Sequence, residues 1–344
     1  MENKIETWIK THLSCIRTTS AELTYERQES QLNLPVIYQP LDVENKNHWL
    51  DIALCSAFSY AVRGSKVILD IGPGDGWPSL RIASKFKKVI GIDPSHRRVS
   101  VQRKNAERLR IKNVEFLEMD VVQMDFSNET LDGVIAARSI EQSNNPIMAL
   151  KEVYRVLRPG GKLAMIFENY DHYSPSDERD EFLWAEIIAD ECILFYLLKE
   201  KNPPRETKYA LFLDKEWLMQ EHDLRRRLNN LSEEKYARYN PHIFGISFFE
   251  RLAPFVIQTK YYELSHFTSK SLQEALTEIG FINIRGFNPE IHPLSEFFDT
   301  ARRENRLKSL EDAMESIGEI FGVMAVDSAT PGVKDFTIAQ KPNI

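Results

Sequence analysis

Cysteine is scarce in this sequence: Cys15, Cys55 and Cys192 are the only three in 344 residues, and no two have Cys-x-x-Cys spacing. That scarcity excludes a disulfide framework and fits a reducing compartment, so a cytoplasmic location is expected. Long apolar runs are missing too. The longest, Cys192 to Leu198, stops at Lys199, well short of the roughly 18 residues that a membrane span requires. The first residues, Met1 to Trp8, lack the basic start and apolar core of a signal peptide. There is no excess of positive charge: 44 lysines and arginines stand against 51 acids, a net charge of −7. An acidic chain repels phosphate backbones and anionic lipid, so nucleic acid is not an expected partner. No metal site is expected. What remains, 42% hydrophobic and 28% charged residues, is the balance of a folded globular protein. The length suggests two domain-sized units, or one domain carrying a large insertion.

Residues 1–65 contain plausible helices, notably Asn47 to Val62, where Trp49, Leu50, Ala53, Leu54, Ala57 and Phe58 recur at helical spacing. From Lys66 the pattern changes. Val67–Ile71 is a short apolar run that ends in glycines, the signature of a buried strand. Similar runs follow at Lys88–Ile92, Val114–Leu117, Gly133–Ala137 and Lys162–Phe167, with helical segments at Pro78–Phe86, Ser95–Leu109 and Pro146–Leu157 between them. Strand alternating with helix predicts an α/β fold with a parallel sheet and helices on both faces, spanning a core of residues 66–168.

Residues 169–265 read instead as a helical insertion. Glu181 to Lys199 suggests a helix that is apolar around most of its circumference, of the kind buried either by neighbours or by a subunit interface, the second of which would make a homo-oligomer through it. Leu224, Leu228 and Leu231 form a second helical stripe. Residues 266–344 return to the alternating pattern, with a helix over Ser271–Gly280, strands at Phe281–Phe287 and Asp335–Lys341, and a mostly helical stretch between those strands.

The strongest local signal is Leu69-Asp70-Ile71-Gly72-Pro73-Gly74-Asp75-Gly76, set between a strand and a helix. Glycines there permit positive φ and let a ligand approach the backbone closely, although a tight structural turn has the same composition. A dinucleotide loop of the Gly-x-Gly-x-x-Gly kind would put its third small residue at Trp77, where a bulky ring obstructs the pyrophosphate. Asp93 ends the next strand and can accept both ribose hydroxyls of an adenosine, or alternatively cap the helix that begins near Ser95. Asp120 ends the strand after that and can receive an adenine amino group while Met119 or Val121 packs on the ring, or simply form a turn.

Taken together, these residues resemble the class I S-adenosylmethionine-dependent methyltransferases, of the small-molecule type similar to the ubiquinone/menaquinone and sterol C-methyltransferases. Val67–Gly76, Val89–Ser95, Leu117–Asp120, Leu131–Val134 and Ala149–Leu163 carry the resemblance. It implies a Rossmann-like, mostly parallel seven-stranded sheet whose final strand is antiparallel, with the helical insertion as a cap over the acceptor. It further implies S-adenosyl-L-methionine as cofactor, with Asp70 on the methionine amino group and Gly72, Pro73, Gly74 and Gly76 around the methionine and ribose. Asp93 would hold the ribose, and Met119, Asp120 and Val121 the adenine, with Arg138 beside the loop. The chain departs from many relatives after the fourth strand, where it has Ser139-Ile-Glu-Gln142.

Methyl transfer from a sulfonium is an in-line displacement that depends chiefly on alignment, with a base needed only when the nucleophile must lose a proton. Glu141, Tyr170 and His172 follow the fourth and fifth strands and are the candidate catalytic groups; each also has an ordinary structural reading, as a surface pair, a packing ring and a loop histidine. Phe182, Trp184, Phe195, Tyr196, Trp217, Phe244 and Phe248 give the insertion an aromatic content suited to an apolar or aromatic small-molecule acceptor, or simply to its own core. A nucleotide-cofactor oxidoreductase or epimerase, and a non-catalytic S-adenosylmethionine-binding protein, are the alternatives.

Overall fold

The computed structural model describes residues 3–25, 27, 40–175, 178–188, 191–214, 216 and 220–343. Along the chain the first elements are α1 (Lys4–His12), β1 (Cys15–Arg17), α2 (Lys46–Ala61), β2 (Val67–Ile71), α3 (Ser79–Ile82), β3 (Lys88–Asp93), α4 (His96–Arg108) and β4 (Val114–Glu118). Next come β5 (Leu131–Ala137), α5 (Pro146–Val156), β6 (Leu157–Ile166), β7 (Arg179–Ile188), β8 (Glu191–Glu200) and β9 (Arg205–Leu213). The remainder is α6 (His222–Ser232), α7 (Ile246–Leu252), β10 (Val256–Ser265), α8 (Ser269–Ile279), β11 (Ile282–Phe287), α9 (His292–Arg303), α10 (Met314–Asp327), β12 (Thr330–Pro331) and β13 (Phe336–Gln340). These elements divide between two compact units, residues 28–170 with 267–344, and residues 1–27 with 171–266.

The larger unit is built on one mixed sheet of order β12-β11-β13-β6-β5-β2-β3-β4. Strands β6, β5, β2, β3 and β4 run parallel. The final strand, β13, lies antiparallel between β6 and β11. The two-residue β12 makes an eighth, edge strand that the sequence pattern did not reveal. Alternate residues of the central strands feed opposite cores, as a two-residue side-chain period requires. Ile68, Val89, Ile135 and Ala164 join Trp49, Phe58 and Phe298 of the helices on one face. Leu69, Ile90, Val134 and Leu163 join Leu150, Val153 and Leu272 on the other. Burial on both faces explains why these strands read as continuous apolar runs.

The smaller unit overturns the expectation of a helical insertion. Its centre is a five-stranded sheet of order β1-β10-β9-β8-β7, antiparallel except where β1 pairs parallel with β10. The stretch expected to be a helix over 181–199 is a hairpin: β7 and β8 pair from Arg179↔Glu200 to Ile188↔Glu191, and residues 189 and 190 lie outside the described residues. The cause is position in the sheet. Strand β8 is flanked by β7 and β9 and packed on both faces, so Ile193 to Leu198 are all buried and the run carries no two-residue alternation. Periodicity cannot tell such a strand from a buried helix; its content of Ile, Phe and Tyr was the available signal. Because those side chains fill their own sheet, the helix that would have joined two copies does not exist.

Three helices cover one face of this sheet. Ile5, Trp8 and Ile9 of α1, Leu224, Leu228 and Leu231 of α6, and Phe248, Phe249 and Leu252 of α7 pack on Leu194, Tyr196 and Leu211. The opposite face carries Trp184, Phe195, Tyr262 and Leu264. The aromatic residues named above are therefore largely core, and Trp217 lies outside the described residues. Among the described residues no helix is long and apolar enough to cross a membrane.

Candidate active site

Parallel pairing in register brings the ends of five strands of the larger unit to one edge. Ile71 of β2 pairs with Ile92 of β3 and Ala136 of β5, Asp93 pairs with Glu118 of β4, and Ala137 pairs with Ile166 of β6. The loop after β2 is tied across this edge. Gly72 N–H donates to the Ile92 carbonyl at 2.8 Å, and Ser139 Oγ donates to the Ile71 carbonyl at 2.5 Å. Gly72 has φ +64°, and a Cβ on it would stand 2.6 Å from the Ser139 Cβ. At Gly74, with φ +58°, a Cβ would meet no atom within 4 Å. The first glycine is thus required by packing, whereas the second borders open space.

Sequence reasoning missed the groups that shape this loop. Gln102 Nε2 donates to the Gly74 carbonyl at 2.9 Å, and Asn105 Nδ2 donates to the Asp75 carbonyl at 2.8 Å. Both side chains are buried on the inner face of α4, and Arg98 pairs with Asp75. Two amides on the apolar stripe of a helix were the signal, since buried amides need partners. Gly76 N–H closes the turn onto the Pro73 carbonyl at 2.8 Å. Trp77 packs into the core, edge-to-face with Phe58 at 6.0 Å between centroids, which keeps a large ring where a dinucleotide loop needs a small residue.

Asp70 is completely buried at the end of β2. Ser79 Oγ donates to its Oδ2 at 2.6 Å, but its buried Oδ1 has no hydrogen-bond partner. Burial pushes the carboxyl up to about 7; the Ser79 hydrogen bond pulls it down in part, and the Asp93 charge adds to the rise. Glu141 behaves alike. It is 1% exposed in the short turn after β5, its Oε1 accepts the Glu168 N–H at 2.8 Å, and its buried Oε2 has no partner. Burial again dominates and raises it to about 7.

The other site residues expected from sequence have mixed surroundings, and one of them lies outside the larger unit. Asp93 is buried, and its Oδ1 accepts the Ser95 N–H at 2.9 Å; the helix cap itself is Ser95, whose Oγ accepts the Arg98 N–H. Asp120 Oδ1 accepts the Val122 N–H at 3.0 Å, and Met119 N–H donates to the Asp93 carbonyl. Val121 is buried in the core, with Met119 packed against the same cluster. Arg138 is exposed, in the left-handed region at φ 54°, and its N–H donates to the Ile166 carbonyl at 2.7 Å. Tyr170 is a buried residue whose N–H donates to the Phe267 carbonyl, while His172 is exposed and belongs to the smaller unit.

Residues 69–165 match the family model described as a methyltransferase domain. The chain is similar to a chloroplastic 2-methyl-6-phytyl-1,4-hydroquinone methyltransferase of Oryza sativa subsp. japonica, with 31% identity over 53% of this chain and 47% of that protein. It is also similar to a cycloartenol-C-24-methyltransferase of the same organism, with 31% identity over 38% of this chain and 39% of that protein. An O-methyltransferase of Pyrenophora dematioidea shares 35% identity over 28% of this chain and 38% of its own. The chain thus spans less than half the length of these curated relatives.

Proposed function

We propose that the chain transfers a methyl group from S-adenosylmethionine to a small-molecule acceptor. One observation carries the reading: a fully buried carboxylate oxygen, Asp70 Oδ1, lacks a partner beside a glycine loop that borders open space. A buried acceptor of that kind calls for a donor from outside the chain, and an ammonium group suits a carboxylate best. The donor set fits S-adenosylmethionine: Asp70 would take the methionine amino group, and the Gly72–Gly76 backbone would border the methionine and ribose. Asp93 would accept ribose hydroxyls, and Asp120, with Met119 and Val121, would bound the adenine. When bound, the cofactor supplies an electrophilic methyl group on a positively charged sulfur. The residues around it need only to bind, orient and exclude water, so no protein base is required for an acceptor that is already nucleophilic.

The named acceptors of two relatives, a prenylated hydroquinone and a sterol, support an apolar acceptor for this chain. Isothermal titration with S-adenosylmethionine and with NAD, followed by mass spectrometry of a hydroquinone and sterol panel, tests both parts. Binding of S-adenosylmethionine alone and a product 14 mass units heavier (roughly one methylene) are expected. Binding of NAD but not of S-adenosylmethionine would overturn the reading, and binding without transfer to any acceptor would leave a non-catalytic binding protein.

A further inference from the structure

The net charge conceals a strong local asymmetry. Between residues 97 and 112 there are seven arginines and lysines and a single acid, Glu107, in a chain whose net charge is −7. This stretch is α4 and the turn after it, and it leads into β4, the edge strand of the large sheet. Arg103, Lys104, Arg108, Arg110 and Lys112 are exposed. Neighbouring acids do not cancel them: Glu115 pairs with Lys88 at 2.6 Å, and Glu118 contacts His96 at 2.9 Å. Arg103 donates to the Phe116 carbonyl at 2.7 and 3.0 Å rather than to a carboxylate. Among the described residues, Lys104, Arg110 and Lys112 form no ion pair. Arg103, Arg110 and Lys112, with Glu107 and the Lys88-paired Glu115, also border a groove of about 640 Å³ with Ile111 and Val114 in its wall.

We infer that the α4 face and this groove dock the protein on an anionic lipid surface. A surface helix can meet a plane along its exposed side, so its cations come within a Debye length of roughly 8–10 Å while acidic surface elsewhere stays screened. An extended polynucleotide would have to continue over that acidic surface, and the exposed residues of α4 include no Phe, Tyr or Trp to stack a base. The apolar side of α4 is committed to its own fold: Val99 and Ala106 pack with Leu80 and Phe116. Attachment is therefore electrostatic, without insertion of a greasy face, and fully reversible by salt. The surface argument does not rest on the proposed reaction, although an apolar acceptor of the kind proposed above dissolves in that phase.

Co-sedimentation of the full chain with vesicles tests this. Binding is expected to phosphatidylcholine vesicles containing roughly one-third phosphatidylserine and not to phosphatidylcholine alone, with release when salt rises to about 0.5 M. The triple variant Lys104→Gln, Arg110→Gln, Lys112→Gln should partition about 100-fold more weakly, at roughly fivefold per charge. S-adenosylmethionine titration of the same variant should be unchanged, which separates lost docking from lost fold or cofactor binding. A control triple at exposed lysines elsewhere, Lys270→Gln, Lys308→Gln and Lys334→Gln, should retain vesicle binding within a few-fold. Absence of binding to the anionic vesicles, equal loss in both triples, or tighter binding of a short single-stranded oligonucleotide than of vesicles would overturn the inference.

Discussion

The two units treat a buried carboxylate in opposite ways. In the smaller unit Glu6 is paired on both oxygens: its Oε1 accepts from Lys10 Nζ at 2.8 Å and from the Tyr209 hydroxyl at 2.9 Å, and Arg205 stands 3.7 Å from its Oε2. Tyr196 is likewise tied to Asn3 at 2.9 Å and to Glu181. In the larger unit Asp70 and Glu141 each keep one buried oxygen without a partner. A fully paired buried charge stabilises its surroundings, whereas a half-paired one weakens the fold unless something from outside completes it. The difference supports the proposal that the larger unit receives the cofactor.

The largest test of that contrast substitutes an amide for each carboxylate. Asp70→Asn should weaken S-adenosylmethionine binding about a thousandfold (~4 kcal/mol), read by isothermal titration, because the carboxylate partner of the ammonium is lost. The same substitution should raise the melting temperature of the ligand-free chain by about 2–4 °C. Glu6→Gln should lower it, since a paired charge is removed. Equal signs for the two amides would break the comparison.

Asp70 also predicts a pH slope. Its folded value of about 7 lies above the ordinary 3.8, so the folded chain retains the proton longer. Its contribution to stability is full below pH ~4 and is lost as pH rises through about 7. Cofactor binding should run the other way and weaken roughly tenfold for each pH unit below 7, with Asp70→Asn flat.

Next in size is Glu141→Ala, which strands the Glu168 N–H and should cost about 2–3 kcal/mol in denaturant unfolding; Glu141→Gln keeps an acceptor and should recover most of it. Asp93→Ala should weaken S-adenosylmethionine binding about tenfold (~1.4 kcal/mol) through a lost ribose contact. An unchanged dissociation constant would leave Asp93 as support for the Ser95 N–H alone. The smallest effect belongs to Lys208 in the smaller unit, buried over the Phe195 ring at 4.6 Å and the Trp184 ring at 5.2 Å. Burial pushes its amine down to about 8, so the unfolded chain binds that proton more readily. Stability should therefore rise between pH 8 and 10, opposite in sign to the Asp70 effect, and Lys208→Met should remove the slope while gaining about 1 kcal/mol at pH 7.

Legibility in the sequence followed the same division. The glycine loop, the strand-end acids Asp93 and Asp120 and the helix cap near Ser95 are local signals, set by backbone conformation and single side chains, and the structure gathers them at one sheet edge. Strand β8 was illegible because its burial on both faces comes from other elements, Trp8 and Ile9 of α1 on one side and Tyr262 and Leu264 of β10 on the other. The partnerless oxygens were hidden for a related reason. That Asp70 would meet Ser79 on one oxygen and nothing on the other is a fact of packing, not of spacing.

The pairing of β1 with β10 has a consequence for biosynthesis. Cys15 lies beside Thr259, so an early strand finds its place only after 244 more residues have been made. At roughly 5–20 residues per second the ribosome needs about 12–50 s to supply them. Until β8 and β9 have been made, the helix before β1 carries Trp8 and Ile9 with no sheet to cover them. The nascent chain is most exposed to chaperones and to self-association over α1 and β1, and the smaller unit closes only once β10 has been made.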